Sequence, residues 1–200
     1  MTSLEALRQE YLSCSKCTSL CQSRTQVVFG SGNPKAEILF IGEAPGAEED
    51  KQGIPFCGSS GKVLQDLLAS IGLTRDQVFI TNTLLCRPPN NRNPEKEEVE
   101  NCSDRLDQLI DSINPKVIVT IGNFSTERIL GKKGITSLRG KVFEKGGRKI
   151  VPVVHPANYL YNGRSPIILQ QMQRDFQVIK SVMSEGKNQK NISEFSPQKR

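Results

Sequence analysis

Residues 36–50 of this chain, AEILFIGEAPGAEED, decide the fold. Positions 38–42 form an unbroken apolar run with β-branched and aromatic side chains, which is typical of a strand buried on both faces of a parallel sheet. Gly42, Pro45 and Gly46 end the run. In open α/β sheets, ligands bind in the crevice beyond the carboxyl ends of the strands. We therefore predict a functional site at this turn, which carries four carboxylates: Glu43, Glu48, Glu49 and Asp50.

Three further apolar runs, at residues 78–82, 117–122 and 150–155, also predict strands. The predicted helices are a segment at 60–71 that ends at Gly72, one that begins with Asn93 as its N-cap, a short one after Gly122, and a last one that begins at Ser165-Pro166. Strands that alternate with helices favour a parallel sheet covered on both faces. Gly146-Gly147, between two extended runs, predicts a hairpin before the last strand.

The composition limits the class of protein. With 200 residues, 36% hydrophobic and 24% charged, the chain fits one domain, which we assign to residues 1–184. Residues 185–200 are polar and lysine-rich, so we expect a disordered basic tail. The net charge of +6 favours a polyanionic partner such as nucleic acid. No apolar run approaches the roughly 18 residues of a membrane span, and the first residues lack a signal-peptide core, so we expect an intracellular soluble protein.

Four of the six cysteines have spacings that suit a metal centre. Cys14 and Cys17 form a Cys-x₂-Cys pair, and fifteen residues separate Cys86 from Cys102. Four thiolates suit either tetrahedral zinc or a [4Fe–4S] cluster, and the spacing does not choose between them. The alternative is a helix-end pair and two core cysteines, because Cys102 lies on the apolar stripe of its helix. A cluster on these four residues would join the N-terminus to the loop after the second strand and act as a structural crosslink.

Polar groups follow three of the predicted strands. Glu43 comes after the first, Asn82 ends the second, and His155, the only histidine in the chain, ends the fourth. The carboxyl ends of parallel strands share one sheet edge, so these groups are expected to meet in one crevice. Phe56, between two glycines, is expected either to line this crevice or to be buried. The alternatives are a histidine whose role is confined to the core and an asparagine that caps a turn.

Five motifs in sequence order carry a family resemblance. CSKC, GEAPGAEED, GIPFCGSSG, TNTLLCRPPNNRNP and VVHPA resemble the family 4 uracil-DNA glycosylases, the iron–sulfur branch of their superfamily, over residues 4–183. The resemblance implies a three-layer α/β/α fold around a four-stranded parallel sheet. It implies a [4Fe–4S] cluster on Cys14, Cys17, Cys86 and Cys102. The implied reaction is hydrolysis of the N-glycosidic bond between uracil and deoxyribose in DNA, the first step of base excision repair.

The resemblance also assigns roles within the crevice. Phe56 would stack on a uracil flipped out of the DNA, and Asn82 would accept a hydrogen bond from N3–H and donate one to O4. His155 would stabilise the negative charge that develops at O2 of the leaving base. Glu49 would lie near the C5 edge of the base. Backbone around three small residues would shape the pocket: Gly42, Ala44 and Gly46.

Two further expectations concern water and DNA. Ala44 stands where other branches of the superfamily carry a water-activating Asp or Asn, so catalysis is expected to depend on His155, with Glu43 or Glu49 as assistants. Residues 156–164 correspond to the loop that enters the DNA minor groove. Within that loop, the expected DNA contacts are Tyr159, Leu160 and Arg164.

The sequence therefore predicts a monomeric uracil-DNA glycosylase of the cytoplasm, associated with the nucleoid, that acts on single- and double-stranded DNA. One alternative is a glycosylase that removes a broader range of deaminated bases. Another is a DNA-binding module with an iron–sulfur or zinc centre and no catalytic activity. Cleavage assays on uracil and hypoxanthine substrates distinguish the three.

Overall fold

The structure, a computed structural model, describes the backbone of residues 3–193 and the side chains of residues 3–184. Within this part of the chain, the strands are β1 (Ser31–Gly32), β2 (Ile38–Gly42), β3 (Phe79–Asn82), β4 (Val117–Ile121), β5 (Phe143–Lys145) and β6 (Arg148–Val153). They form one sheet in the order β1-β3-β2-β4-β6-β5. The central strands β3, β2, β4 and β6 are parallel, and β1 and β5 pair antiparallel at the two edges.

The four predicted strands are thus the four parallel strands, and the α/β prediction is confirmed. The sheet differs from the prediction at its edges, where two short strands make it six-stranded and mixed. The hairpin predicted around Gly146-Gly147 joins β5 to β6, and both glycines have positive φ. The β1 strand is only two residues long, too short for its pairing with β3 to be visible as a pattern in the sequence.

Helices cover both faces of the sheet. They are α1 (Leu4–Leu12), α2 (Thr18–Ser23), α3 (Ala47–Gln52), α4 (Ser59–Ser70), α5 (Lys96–Asn101), α6 (Ser103–Ile113), α7 (Asn123–Leu130), α8 (Ile135–Leu138), α9 (Ala157–Tyr161) and α10 (Pro166–Ser193). Alternate residues of β2 point to opposite faces: Leu39 and Ile41 pack with α1 and α6, whereas Ile38 and Phe40 pack with α4 and α10. The result is the three-layer α/β/α arrangement that the sequence predicts.

The helix predicted to begin at Asn93 begins later. Its N-cap is Glu95, because the Glu95 backbone N–H donates to the Glu98 carboxylate at 2.8 Å and completes a capping box. The predicted single helix is also divided at Cys102, which ends α5 and precedes α6. Cys102 therefore lies at a break between two helices, while its side chain remains buried in the same core cluster as Leu106 and Leu109 of α6.

The strand order creates a crevice at the carboxyl edge of the sheet. From β2 the chain passes to β3 on one side, and it later enters β4 on the other side of β2. The loops that leave β2 and β4 therefore run in opposite directions, and such a switch point is where doubly wound sheets bind ligands.

The end of the chain leaves one prediction open. The backbone of α10 continues to Ser193, the side chains beyond residue 184 are not described, and residues 194–200 lie outside the described part of the chain. The division into a domain at 1–184 and a disordered tail at 185–200 stays a prediction. None of the described helices is long and apolar enough to cross a membrane.

Candidate active site

A cleft of about 500 Å³ opens at the carboxyl edge of the sheet. Its walls come from the loops that follow β2, β3 and β6. The cleft brings together every residue predicted for catalysis or substrate binding except Gly42: Glu43, Ala44, Gly46, Glu49, Phe56, Asn82 and His155. A cleft of this size that combines apolar walls with a few polar groups is typical of small-molecule binding sites.

Asn82 ends β3, where it pairs in register with Gly42 at the end of β2. Its side chain is only 2% exposed, yet it contributes to the cleft wall. A Cβ atom on Gly42 would lie 2.3 Å from Asn82 Oδ1 and 2.7 Å from Cε2 of the Phe56 ring. Gly42 therefore acts from beneath the cleft, because the absence of a side chain there leaves room for the amide and the ring.

Phe56 is held in an unusual backbone conformation. Its φ is 50°, a region that bulky residues rarely adopt. The Arg75 guanidinium donates hydrogen bonds to the carbonyl oxygens of Pro55 at 2.6 Å and of Phe56 at 2.8 Å. A Cβ atom on Gly61 would lie 1.8 Å from the Phe56 oxygen, so α4 packs directly on this backbone. These contacts fix a strained conformation, which is a feature common at ligand sites.

His155 stacks on the Phe56 ring, with the ring centroids 5.6 Å apart and an angle of 27° between the planes. Its Nδ1 accepts a hydrogen bond from the Ala157 backbone N–H at 3.1 Å. Burial lowers the pKa of His155 to about 4, and the nearby Glu49 carboxylate opposes this shift only in part. The imidazole is therefore neutral at pH 7 and carries its proton on Nε2, where it can act as a hydrogen-bond donor.

Two carboxylates face the cleft in different environments. Glu43 lies partly buried on its wall, and burial raises the pKa of this carboxyl group. Glu49 Oε1 accepts the Gly58 backbone N–H at 3.0 Å, at the N-terminus of α4. Glu49 is thus engaged in fixing the loop that carries Phe56, whereas no side-chain hydrogen bond joins Glu43 to any residue in the described part of the chain.

The other two carboxylates of the turn are directed elsewhere. Asp50 is 2% exposed, and its two oxygens accept the Thr25 backbone N–H at 2.9 and 3.0 Å. Glu48 is exposed and pairs with Lys51 at 3.2 Å. The expectation that all four carboxylates of the turn after β2 belong to the site is therefore wrong for these two. Neither Glu48 nor Asp50 lines the cleft.

The predicted DNA contacts lie outside the cleft lining. Tyr159 and Leu160 are partly buried against the core under α10, and Arg164 is exposed with a φ of 58°. From this segment the cleft is lined instead by Ala157, Asn158 and Tyr161, and Tyr161 is 87% exposed. Asn158 and Tyr161 are three residues apart and therefore share one face of the short helix α9. This helical spacing could have identified Tyr161 as a residue of the cleft wall.

The loop after β3 forms the opposite rim of the cleft. This segment belongs to the motif TNTLLCRPPNNRNP, but none of its cleft-lining residues was predicted as a site residue: Pro88, Asn91, Arg92 and Asn93. Asn90 and Asn91 both have a φ of 54°, which asparagine tolerates better than most residues. Arg92 donates to both oxygens of Glu98, at 2.9 and 2.6 Å, so its position is fixed by a bidentate ion pair.

The cysteines of the predicted metal centre line one small cavity on the other side of that loop. The cavity wall contains Cys14, Cys17, Cys86 and Cys102, and also Cys21, whose thiol donates to the Cys14 carbonyl at 3.5 Å. All six cysteines are free thiols. Among the described residues, no group of three or more His, Cys, Asp or Glu side chains is placed to hold a single metal ion.

Two side chains donate hydrogen bonds to sulfur in this cavity. Arg24 Nη1 donates to Cys86 Sγ at 2.9 Å while its Nη2 donates to the Cys14 carbonyl at 2.7 Å. Asn101 Nδ2 contacts Cys17 Sγ at 3.5 Å. The donor set is entirely sulfur, with N–H groups directed at two of the sulfur atoms, as in sites for iron–sulfur clusters. The residues present therefore fit such a group.

Comparison with known sequences identifies the family. The family model of the uracil DNA glycosylase superfamily matches residues 29–178, which contain the whole cleft. The chain belongs to the uracil-DNA glycosylase superfamily. The superfamily match begins after Cys14 and Cys17, so the Cys-x₂-Cys pair lies outside it.

Similar proteins place the chain in the type-4 branch of the superfamily, which confirms the resemblance predicted from the motifs. The type-4 uracil-DNA glycosylase of Sulfurisphaera tokodaii is 49% identical, over 91% of this chain and 86% of that protein. The enzyme of the same name from Archaeoglobus fulgidus is 43% identical, over 98% and 100%. That of Thermotoga maritima is 41% identical, over 92% and 96%.

Proposed function

We propose that this protein is a uracil-DNA glycosylase that hydrolyses the N-glycosidic bond of deoxyuridine in DNA, releases uracil and leaves an abasic site in the DNA. The observation that carries the proposal is the convergence of Asn82, Phe56 and a neutral His155 in one cleft. The type-4 relatives, which are similar over nearly the whole chain, support it.

Recognition requires the base to leave the duplex, because its edges and its glycosidic bond are otherwise inaccessible to the cleft. The Phe56 ring offers a flat surface for stacking on the flipped base. The Asn82 amide accepts from uracil N3–H and donates to O4, whereas cytosine has an acceptor at N3 and a donor at C4. A cytosine in this cleft would leave buried polar groups unpaired, which is the strongest form of discrimination that hydrogen bonding provides.

Gly42 provides a test of this recognition geometry. We expect Gly42→Ala to fold normally, because the φ of Gly42 lies outside the left-handed region. The added methyl would displace the Asn82 amide and the Phe56 ring, so kcat/KM on uracil-containing DNA should fall about 10²-fold. Gly58→Ala is the matched control, since its Cβ would lie no closer than 3.3 Å to any neighbour. Equal activity of the two variants would contradict this role of Gly42.

Bond cleavage transfers the electron pair of the C1′–N1 bond to the base, and the resulting negative charge is shared with O2. The Nε2–H of neutral His155 donates a hydrogen bond to O2 and stabilises the departing anion. The Ala157 N–H on Nδ1 keeps the proton on Nε2. The preorganised imidazole needs no change of protonation during the reaction.

Water then adds to C1′ and loses a proton, which leaves a hydroxyl group on the sugar. Ala44 cannot activate this water, and Glu49 is already bonded to the Gly58 N–H. We assign the turn after β2 the role of positioning the water through its backbone groups. Glu43, partly buried on the cleft wall, assists as proton acceptor.

The assay of the proposed function uses oligonucleotides with one uracil, single-stranded and paired with guanine. We expect alkali-labile breaks at the uracil in both. Side-by-side hypoxanthine substrates test the broader base range, and binding without breaks would support a non-catalytic DNA-binding module instead. Gel filtration tests the proposed monomeric state.

We further propose that Cys14, Cys17, Cys86 and Cys102 hold a [4Fe–4S] cluster. The presence of all four cysteines in the wall of one cavity and the N–H donors from Arg24 and Asn101 support this. When bound, the cluster supplies a structural crosslink between the N-terminal segment, the loop after β3 and the start of α6.

Iron analysis tests the cofactor. We expect purified protein to be brown, to absorb broadly in the violet part of the visible spectrum, and to contain about four irons per chain, the content of one [4Fe–4S] cluster. Cys102→Ser should lose iron and unfold at a lower temperature. Cys57→Ser is the matched control, because Cys57 lies outside the cysteine cavity. Stoichiometric zinc in place of iron would contradict the proposal.

A further inference from the structure

Arg105 is a fully buried charged residue that the mechanism above does not use. It lies in the first turn of α6, three positions after Cys102, and its side chain is 0% exposed. None of the ion pairs formed by the described residues includes it. Its Nε atom also has no hydrogen-bond partner. The Cys102 thiol is the group that most offsets the effect of burial on the pKa of Arg105. No carboxylate pairs with Arg105 among the described residues, so a carboxylate ion pair does not account for this buried charge.

The guanidinium group binds the end of β3. Its Nη2 donates to the carbonyl oxygens of Asn82 and Thr83, both at 2.9 Å. Its Nη1 contacts Thr81 Oγ1 at 3.3 Å, and that hydroxyl donates to the Phe29 carbonyl at 2.8 Å. One side chain thus contacts three consecutive residues, and the middle one carries the amide that faces the cleft.

These contacts lie at the point where the parallel pairing between β2 and β3 ends. The parallel ladder between β2 and β3 ends at the pair Gly42 and Asn82. Beyond it, Thr83 and Leu84 donate to the carbonyls of Gly42 and Glu43 on the β2 side, both at 2.9 Å. Arg105 donates to carbonyl oxygens of this same segment. The N–H groups of the segment are therefore bonded to β2 and the residue after it, and its carbonyl oxygens are bonded to Arg105.

We propose that Arg105 is a positioning residue that fixes the backbone of Asn82 and thereby the direction of its amide in the cleft. The role in uracil recognition rests on the proposed function. The planar fork of arginine can bind two or three acceptors at once, whereas a lysine ammonium in the same place could keep the charge but not all of these bonds. Arg105 also joins the helix that follows Cys102 to the recognition residue.

Hydrogen exchange on the iron-loaded protein without DNA tests this directly. In Arg105→Lys we expect the amides of residues 83 and 84 to exchange at least about tenfold faster, while the rest of the sheet is unchanged. On uracil-containing DNA, kcat should fall about 10²-fold with little change in KM. Arg105→Met, which removes the charge, should give the same local pattern if the lysine variant does not fold.

Arg128→Lys is the matched control. Arg128 also donates to α6, through the Ser103 carbonyl at 3.2 Å and Asp107 at 2.7 Å, and its Nε is likewise unpartnered, but it contacts no residue of the cleft. It should leave exchange at residues 83 and 84 and kcat unchanged. Exchange in Arg105→Lys that matches wild type, or rises equally throughout the chain, would overturn the proposal. An inactive wild-type protein would refute only the proposed function, because the exchange comparison needs no DNA.

Discussion

We expect His155→Ala to lower kcat on uracil-containing DNA by about 10²- to 10³-fold, because it removes the hydrogen-bond donor to O2, where the leaving base gains negative charge. The fold should persist, since the side chain lies on the cleft wall and its one hydrogen bond is local. His155→Gln restores an N–H donor and should recover part of the loss. Near wild-type turnover in His155→Ala would remove the basis of the proposed mechanism.

The protonation state of His155 can be measured separately. It is the only histidine in the chain, so its imidazole signals in a nitrogen NMR spectrum need no assignment. We expect a neutral ring with the proton on Nε2 at pH 7 and a midpoint near pH 4, the pKa that burial imposes. Between the ordinary pKa of 6.5 and about 4, the unfolded chain binds a proton that the folded chain does not. The contribution of His155 to the free energy of unfolding therefore falls as the pH drops through that window.

Glu43→Gln provides the contrast for His155. If leaving-group stabilisation carries most of the catalysis, this variant should lose much less activity than His155→Ala. A loss as large as that of His155→Ala would mean that Glu43 acts as the general base and would contradict this division of roles.

We expect Asn82→Asp to lower kcat/KM on uracil by about 10⁴-fold, the magnitude typical of sites that recognise a polar group through buried hydrogen bonds. The carboxylate would remove the donor to O4 and place a negative charge against that oxygen. Folding should be retained, because the Asn82 backbone remains in the β2–β3 ladder and bonded to Arg105.

Asn91→Asp is the matched control for Asn82→Asp. Asn91 lines the same cleft at its rim, and its Oδ1 accepts from Arg87 Nε at 2.7 Å, a bond that a carboxylate also makes. The two variants thus introduce the same charge into the same cleft. Similar losses in both would show general repulsion of DNA and would contradict specific recognition by Asn82.

The convergence of the site could be predicted because it depends on the strands being parallel. Continuous apolar runs identify buried parallel strands, and the residues that follow such strands meet at one edge. Glu43, Asn82 and His155 each follow or end a run, and all three line the cleft. The predicted catalytic and binding roles remain to be tested by the variants above.

Side-chain direction was harder to predict than the positions of the strands. The adjacent carboxylates Glu48, Glu49 and Asp50 look equivalent in the sequence, but α3 directs them differently, and Asp50 binds the Thr25 backbone. Arginine is a residue type that is usually found on the surface. The spacing of Arg105, three residues from Cys102 and four from Leu109, nevertheless places it on the buried face of α6, so the spacing indicates burial where the charge of the side chain does not.

The two cysteines that follow β3 have a consequence for the rim of the cleft. Cys86 and Cys102 line the same cavity, so the segment between them leaves from and returns to one place. Asn91 and Arg92 lie within that segment. A segment anchored at both ends has few conformations to lose when it meets a ligand, so the rim is preorganised and its ordering subtracts little from the affinity for DNA.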